Sequence, residues 1–417
     1  MAEIKSTTAL NGLPIHRIAI PGTRATTILV AFDAGARTEH ADENGMAHFL
    51  EHLVFKGGRI YDDYRKVNET AERMGGSLNA YTSHDLVAFH ITVRAESVVE
   101  AIDLLSDFVG RPKLDGEELD KERGVVIQEI QRYKDEPASV AGDLIERAGF
   151  GDHPLGRTVL GPEEHLETFS REAIIAFRER RWSGTRGGAF IVGNLEHLPA
   201  NGAVDEYFNR FPALPAPPAS EIPSPCVPQT LVEERDSNQS HLRMLYQPDL
   251  DPTNAEQRMA FGIYSTLLGG SMGSRLFDEI REQRGLAYSV FSMAHVAGDY
   301  SALVLGAGLE SAKTVEAFTR MKEIVAELAT DGPTEEEVER ARAYVAGRRV
   351  LSFENTNAVA GYAAGRSIVH QEGFDPDEAI DAIDAVSFEQ VADAARRVDP
   401  EKLSIACVGP HKAGEFG

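Results

Sequence analysis

Two runs near the N-terminus, LPIHRIAI (13–20) and TTILVAFDAG (26–35), are rich in β-branched residues and bounded by glycine and proline, which predicts two strands. Apolar residues then recur at helical spacing over 44–55 and 63–74, and LVAFHITV (86–93) reads as another strand. Ser97 opens a further helix, and one more is predicted from 115 through 132. The second half repeats this order. HLRMLYQ (241–247), AYSVFSMAH (287–295) and YSALVLGAG (300–308) read as strands, with helices over 254–268, 273–283, 311–329 and 334–353. The acidic run TEEEVE (334–339) suits the start of the last of these, where carboxylates meet the positive end of the helix.

The stretch beginning AESVVEAIDLL and that beginning LESAKTVEAFTRM each place a helix, a short turn and a second helix after a strand. A duplicated unit is therefore inferred. Between the copies lies PALPAPPASEIPSPCVP (212–228), a proline-rich and nearly uncharged segment suited to a stiff linker. The predicted organisation is two homologous domains, 1–211 and 229–417. The fold class is α+β, each domain a largely antiparallel sheet with helices packed on one face.

Composition narrows the function. Of the 417 residues, 66 are acidic and 42 basic, a net charge of −24. That excess argues against nucleic acid and against an anionic membrane as partners. Cys226 and Cys407 are too few for a disulfide scaffold or a cysteine zinc ribbon, and suit a reducing compartment. The N-terminus has no apolar signal core, and no run of 18 apolar residues occurs, so a cytoplasmic location is expected, or a mitochondrial matrix one after loss of a presequence.

The chemistry concentrates in GMAHFLEHLVFKG (45–57). On a helix, His48, Glu51 and His52 share one face, so two imidazoles one turn apart can hold a zinc ion. A carboxylate beside them can take a proton from a water at the metal. This is H-x-x-E-H, an inverted zinc-peptidase motif. Catalytic zinc needs a third protein ligand, and ELDKERGVVIQEIQRYKDEP (118–137) offers Glu122 and Glu129, seven apart on one predicted helix face. The apolar setting VVIQEI favours a cation partner for Glu129. His84, His90, His153 and His165 lack a spaced partner and are expected to be structural. LGGSMG (268–273) matches no phosphate loop.

With NAYTSHDLVAFH (79–90) and ERGVVIQEI (122–130) following in order, the chain resembles the pitrilysin family over nearly its whole length. That family includes insulin-degrading enzyme, the mitochondrial processing peptidases and small bacterial zinc peptidases. The resemblance implies one Zn2+ per chain held by His48, His52 and Glu129, with Glu51 as general base and Glu122 orienting a ligand. LGGSMGSRLFDEIREQRGLAYSVFS (268–292) is similar to the family's non-metal domain, where an arginine and a tyrosine contact substrate. The matching positions are Arg281 and Tyr288, with Arg284 a rival for the arginine. By the same resemblance, NAYT is the edge strand to which peptide substrates add, with Asn79 and Ala80 flanking the scissile bond. The expectation is a zinc endopeptidase acting on short or unfolded peptides in a closed chamber. A homodimer is the economical assembly, and a heterodimer with a homologous subunit is a second arrangement. The alternatives are a presequence-processing subunit and a non-catalytic assembly subunit.

Overall fold

The computed structural model describes residues 3–199, 203–224 and 227–416; Cys226, with residue 225 of the proline-rich stretch, lies outside them. By packing, the chain forms two units. One comprises Met1–Ile130, Thr158–Glu221 and Leu351–Ala379; the other comprises Gln131–Arg157, Ile222–Val350 and Ile380–Gly417.

The first unit is built on strands β1 (Glu3–Thr8), β2 (Pro14–Ala19), β3 (Ala25–Phe32), β4 (Ser77–Thr82), β5 (Val87–Arg94) and β6 (Gly187–Gly193). Their order in the sheet is β1-β2-β6-β3-β5-β4. Every pair is antiparallel except β2 with β6. Helices α1 (Met46–Val54), α2 (Tyr64–Arg73), α3 (Val98–Gly110) and α4 (Gly116–Asp135) follow the strands.

The second unit carries helix α5 (Pro137–Phe150) and strands β7 (Thr230–Glu234), β8 (Gln239–Tyr246), β9 (Ala287–Val296), β10 (Ser301–Glu310) and β11 (Leu403–Gly409). Their order is β7-β11-β8-β10-β9, with only β7 and β11 parallel. Matching β7 to β2 and β9 to β4 superposes the two orders strand for strand, including the single parallel pair. The duplication read from the sequence is thus present in the topology.

Each sheet keeps its main helical layer on one face, as expected, and helical segments from elsewhere in the chain cover the other. β3 is why. From Thr26 to Phe32 it is buried throughout, with no polar alternation, so both of its faces need cover. Ile28, Val30 and Phe32 join the core formed with Phe49 and Leu53 of α1 and Phe108 of α3. Leu29 and Ala31 point the opposite way and meet Val359, Ala360 and Ala363 of the helix Thr356–Ala364. In the second unit α5 does the same: its Ile145 and Ala148 cluster with Leu245 of β8, Ala302 and Ala406. Segments distant in sequence thus complete each sheet.

The loop between β3 and α1 sets where α1 begins. Backbone donors of Gly35, Ala36 and Arg37 bond the carbonyls of Asp85, Ser83 and His84, so the loop clasps the turn joining β4 to β5. A side chain at Gly35 would put its Cβ 2.4 Å from the His84 carbonyl oxygen, so only glycine allows the approach. Gly45, the residue before α1, has φ of 99° and no capping side chain. The cap comes from Glu39 instead. Its Oε1 accepts from the Ala47 amide at 2.7 Å, and its Oε2 from the Gly45 amide at 3.0 Å and Asn44 Nδ2 at 3.1 Å. Burial pushes the Glu39 carboxyl up to about 8, against the pull of those donors. Among the described residues, no helix is long and apolar enough to cross a membrane.

Two outcomes follow from this loop. Gly35→Ala is expected to cost about 1–3 kcal/mol by overpacking against the turn, read as a fall in the urea midpoint. Glu39 binds its proton more tightly when folded than when unfolded, so its contribution to stability declines as pH rises from its ordinary 4.5 toward about 8. Glu39→Gln keeps a capping oxygen and lacks that titration. Its stability relative to the parent should therefore improve between the two ends of that window, and a constant or reversed difference in urea unfolding would refute the buried acid.

Candidate metal and active site

α1 forms over the predicted segment because Phe49, Leu50, Leu53 and Val54 fill the core on its apolar side. Its remaining face carries His48, Glu51 and His52. The two imidazole rings stand 4.7 Å apart, centre to centre. Glu129 reaches them from α4: its Oε2 is 3.4 Å from His52 Nε2 and 3.8 Å from His48 Nε2. The three donor atoms lie within 4.8 Å of one another, and among the described residues no other such group of histidine, cysteine and carboxylate occurs.

That spacing fits zinc. Bonds of about 2.0–2.2 Å in a tetrahedral shell place ligand atoms roughly 3.3–3.6 Å apart, close to the two separations to Glu129. Two imidazoles and one carboxylate are also a usual donor set for catalytic zinc.

The ring of His52 is oriented from behind. Its Nδ1 lies 2.9 Å from Glu122 Oε1, which leaves Nε2 directed toward Glu129. Glu122 is buried and pairs through its other oxygen with Lys56 Nζ. Burial would raise the Glu122 carboxyl, but the bonds to His52 and Lys56 hold it below its ordinary value. Burial also works against a charged His52, yet the Glu122 bond and the carboxylates of Glu51 and Glu129 raise it. His48 has no such support; burial, with His52 nearby, lowers it to about 3, so it is a neutral imidazole at neutral pH. A neutral ring is what a metal binds. Burial raises the Glu51 carboxyl above its ordinary value, opposed by a bond from Thr82 and by His52.

Asn79 and Ala80 lie on β4, the outermost strand of its sheet, bonded to β5 alone. Residues 78, 80 and 82 face inward, and 79 and 81 outward. α1 packs against this strand. In the second unit, the helical segment Phe277–Gln283 ends at a turn through Gly285, with φ of 58°, and β9 begins two residues later. There the Arg281 guanidinium sits 5.4 Å from the centre of the Tyr288 ring and 4.7 Å from that of Phe277. Tyr288 is 85% exposed on an edge strand. Arg281 is thus the arginine packed beside the Tyr288 ring.

His153, His165 and His90 stay outside the cluster. His153 accepts from the Leu155 amide, His165 lies 3.2 Å from the Asn44 carbonyl oxygen, and His90 is buried in β5. The sequence reading assigned no role to Lys56, Thr82 or Glu39. Lys56 follows His52 by four residues and could have been placed on its face by helical spacing. Thr82 shares the strand parity of Ala80. Glu39 carries no local signal, because it caps the helix from six residues before Gly45.

The chain is similar to known proteins along most of its length. Residues 17–163 match the model of insulinase, peptidase family M16, and residues 168–345 match that of the peptidase M16 inactive domain. An uncharacterized zinc protease of Bacillus subtilis, YmxG, is 30% identical over 98% of both chains. An uncharacterized zinc protease of Mycobacterium leprae is 31% identical over 98% of this chain and 92% of its own. Among solved structures, a peptidase M16 inactive domain from Pseudomonas fluorescens has a TM-score of 0.87 at 19% identity, covering 99% of each chain. A protease from Helicobacter pylori has the same score and identity, over 98% of this chain and 100% of its own. With both of its halves matched and its relatives similar from end to end, the chain belongs to peptidase family M16.

Proposed function

We propose that this protein is a zinc-dependent endopeptidase. The convergence of His48, His52 and Glu129 donors within 4.8 Å, with Glu51 beside them on the same helix face, carries the reading. The similar proteins named as zinc proteases support it. A zinc ion bound there would supply a Lewis acid for the scissile carbonyl and acidify a water.

The chain's own residues do the rest. A peptide lies along the open edge of β4, held by main-chain hydrogen bonds near Asn79 and Ala80, which gives affinity without strict sequence readout. Glu51 takes the proton of the attacking water and passes it to the leaving amine. Its raised pKa suits both halves of that transfer. Arg281 and Tyr288 act as donors to the substrate carbonyl or to the developing oxyanion. A homodimer, the zinc half of one copy working with the Arg281–Tyr288 half of the other, would complete the site and enclose short or unfolded peptides. The excess of acidic residues speaks against nucleic acid or an anionic membrane as a partner.

Glu51→Gln should keep one zinc per chain and lose about 10²–10⁴ in turnover of a peptide chosen from a library digest. A metal-loaded Glu51→Gln protein with normal turnover would remove Glu51 from the role. A zinc-loaded parent that cleaves no peptide in the library would favour a non-catalytic assembly subunit. Glu129→Gln should weaken zinc binding roughly 10-fold or more by calorimetry, and wild-type affinity would identify the wrong third ligand. Equal amounts of Glu51→Gln and Tyr288→Phe chains, allowed to exchange subunits, should recover about a quarter of wild-type activity if sites are shared across a dimer. No recovery, with mixed dimers seen by native mass spectrometry, would reject sharing.

A further inference from the structure

We infer that Thr82 is the positioning residue for Glu51: its hydroxyl holds the general base and ties it to the strand on which the peptide is paired. This rests on the peptidase reading above. Thr82 Oγ1 donates to Glu51 Oε2 at 2.5 Å. A carboxylate can only accept, so the direction of the bond follows from chemistry. It is a charge-assisted hydrogen bond of the strong kind. It occupies Oε2 and leaves Oε1 outside the bond.

Three features make Thr82 suited to the task. Its backbone is held in the ladder, opposite Val87 of β5. The next four residues form a tight turn, closed by Ser83 N to Leu86 O at 2.9 Å and by Leu86 N to Ser83 Oγ at 3.1 Å. The same turn is clasped by the Gly35–Arg37 segment, whose continuation supplies Glu39 to the start of α1. Donor and acceptor are thus mounted on one braced frame. A β-branched side chain adds to this, since threonine has few χ1 positions to sample.

The strand's parity gives the bond its consequence. Leu78, Ala80 and Thr82 face inward on β4, while Asn79 and Tyr81 face outward. A peptide that pairs along the outer edge of β4 engages the backbone two residues from the group that orients the base. Glu51 itself is buried, so it cannot take its orientation from bulk water.

The test compares Thr82→Val, which keeps the shape and removes the hydroxyl, with Thr82→Ser, which keeps the hydroxyl. Both are made in the full, zinc-loaded protein, with a quenched-fluorescence peptide taken from the library digest as substrate. Thr82→Val should hold one zinc per chain at wild-type affinity, keep KM within about twofold and lose roughly 10–100-fold in kcat. Thr82→Ser should recover most of that loss. Crystal structures of the two variants should show the Glu51 carboxylate turned away in Thr82→Val and in place in Thr82→Ser.

Wild-type kcat in Thr82→Val overturns the inference. So does a Thr82→Ser as slow as Thr82→Val, which would mean that the methyl group and strand packing matter. If Thr82→Val does not fold, Thr82→Ala against Thr82→Ser carries the same comparison. If the parent itself cleaves nothing, the peptidase reading fails separately. The carboxylate positions in the variant crystals then still decide whether Thr82 holds Glu51.

Discussion

The site depends on one physical demand. A nine-residue helix must keep two imidazoles and a carboxyl, His48 and Glu51 buried and His52 partly so, on one face while its other faces fill a hydrophobic core. Polar groups withdrawn from water are costly unless each finds a partner. Most of the unusual contacts around α1 answer that cost. Glu122, itself neutralised by Lys56, takes the Nδ1 of His52. Thr82 takes Glu51. Glu39 receives the amides of the helix start, where glycine leaves no side chain to do so.

These partners come from different places, and that spreads the constraint through the first unit. Glu122 and Glu129 arrive together on α4, seven residues and two turns apart, so one helix supplies both the third donor and the support of the second histidine. Thr82 arrives on an edge strand. Glu39 arrives on the loop that clasps that strand's turn. All three are tied to α1 by hydrogen bonds with its own polar groups or its first amides.

The second unit shows the same scaffold without this demand. Its strands follow the same order, with the one parallel pair in the same place. Its edge strand β9 carries Tyr288 in the open, stacked with Arg281, rather than a metal cluster. One copy of the duplicated fold thus gathers the His48–His52–Glu129 donor set and the other presents a cation of its own. Both scaffolds bury a central strand on two faces, and each needs a helix from a distant part of the chain to do so.

The alignment of His48, Glu51 and His52 was legible in the sequence because helical periodicity is a local property: neighbours at i+3 and i+4 share a face wherever the helix forms. The same holds for Glu122 with Glu129. The duplication was legible too, since repeated patterns need no knowledge of contacts. Tertiary structure alone decided which local pieces meet. The continuous burial of β3 asks for cover on both faces, but only packing selects the helix Thr356–Ala364 to provide it. The Glu39 cap and the Thr82 bond to Glu51 are likewise pairings across folds of the chain. Such pairings depend on which apolar surfaces are buried together over a whole unit, and no window of neighbouring residues contains that information.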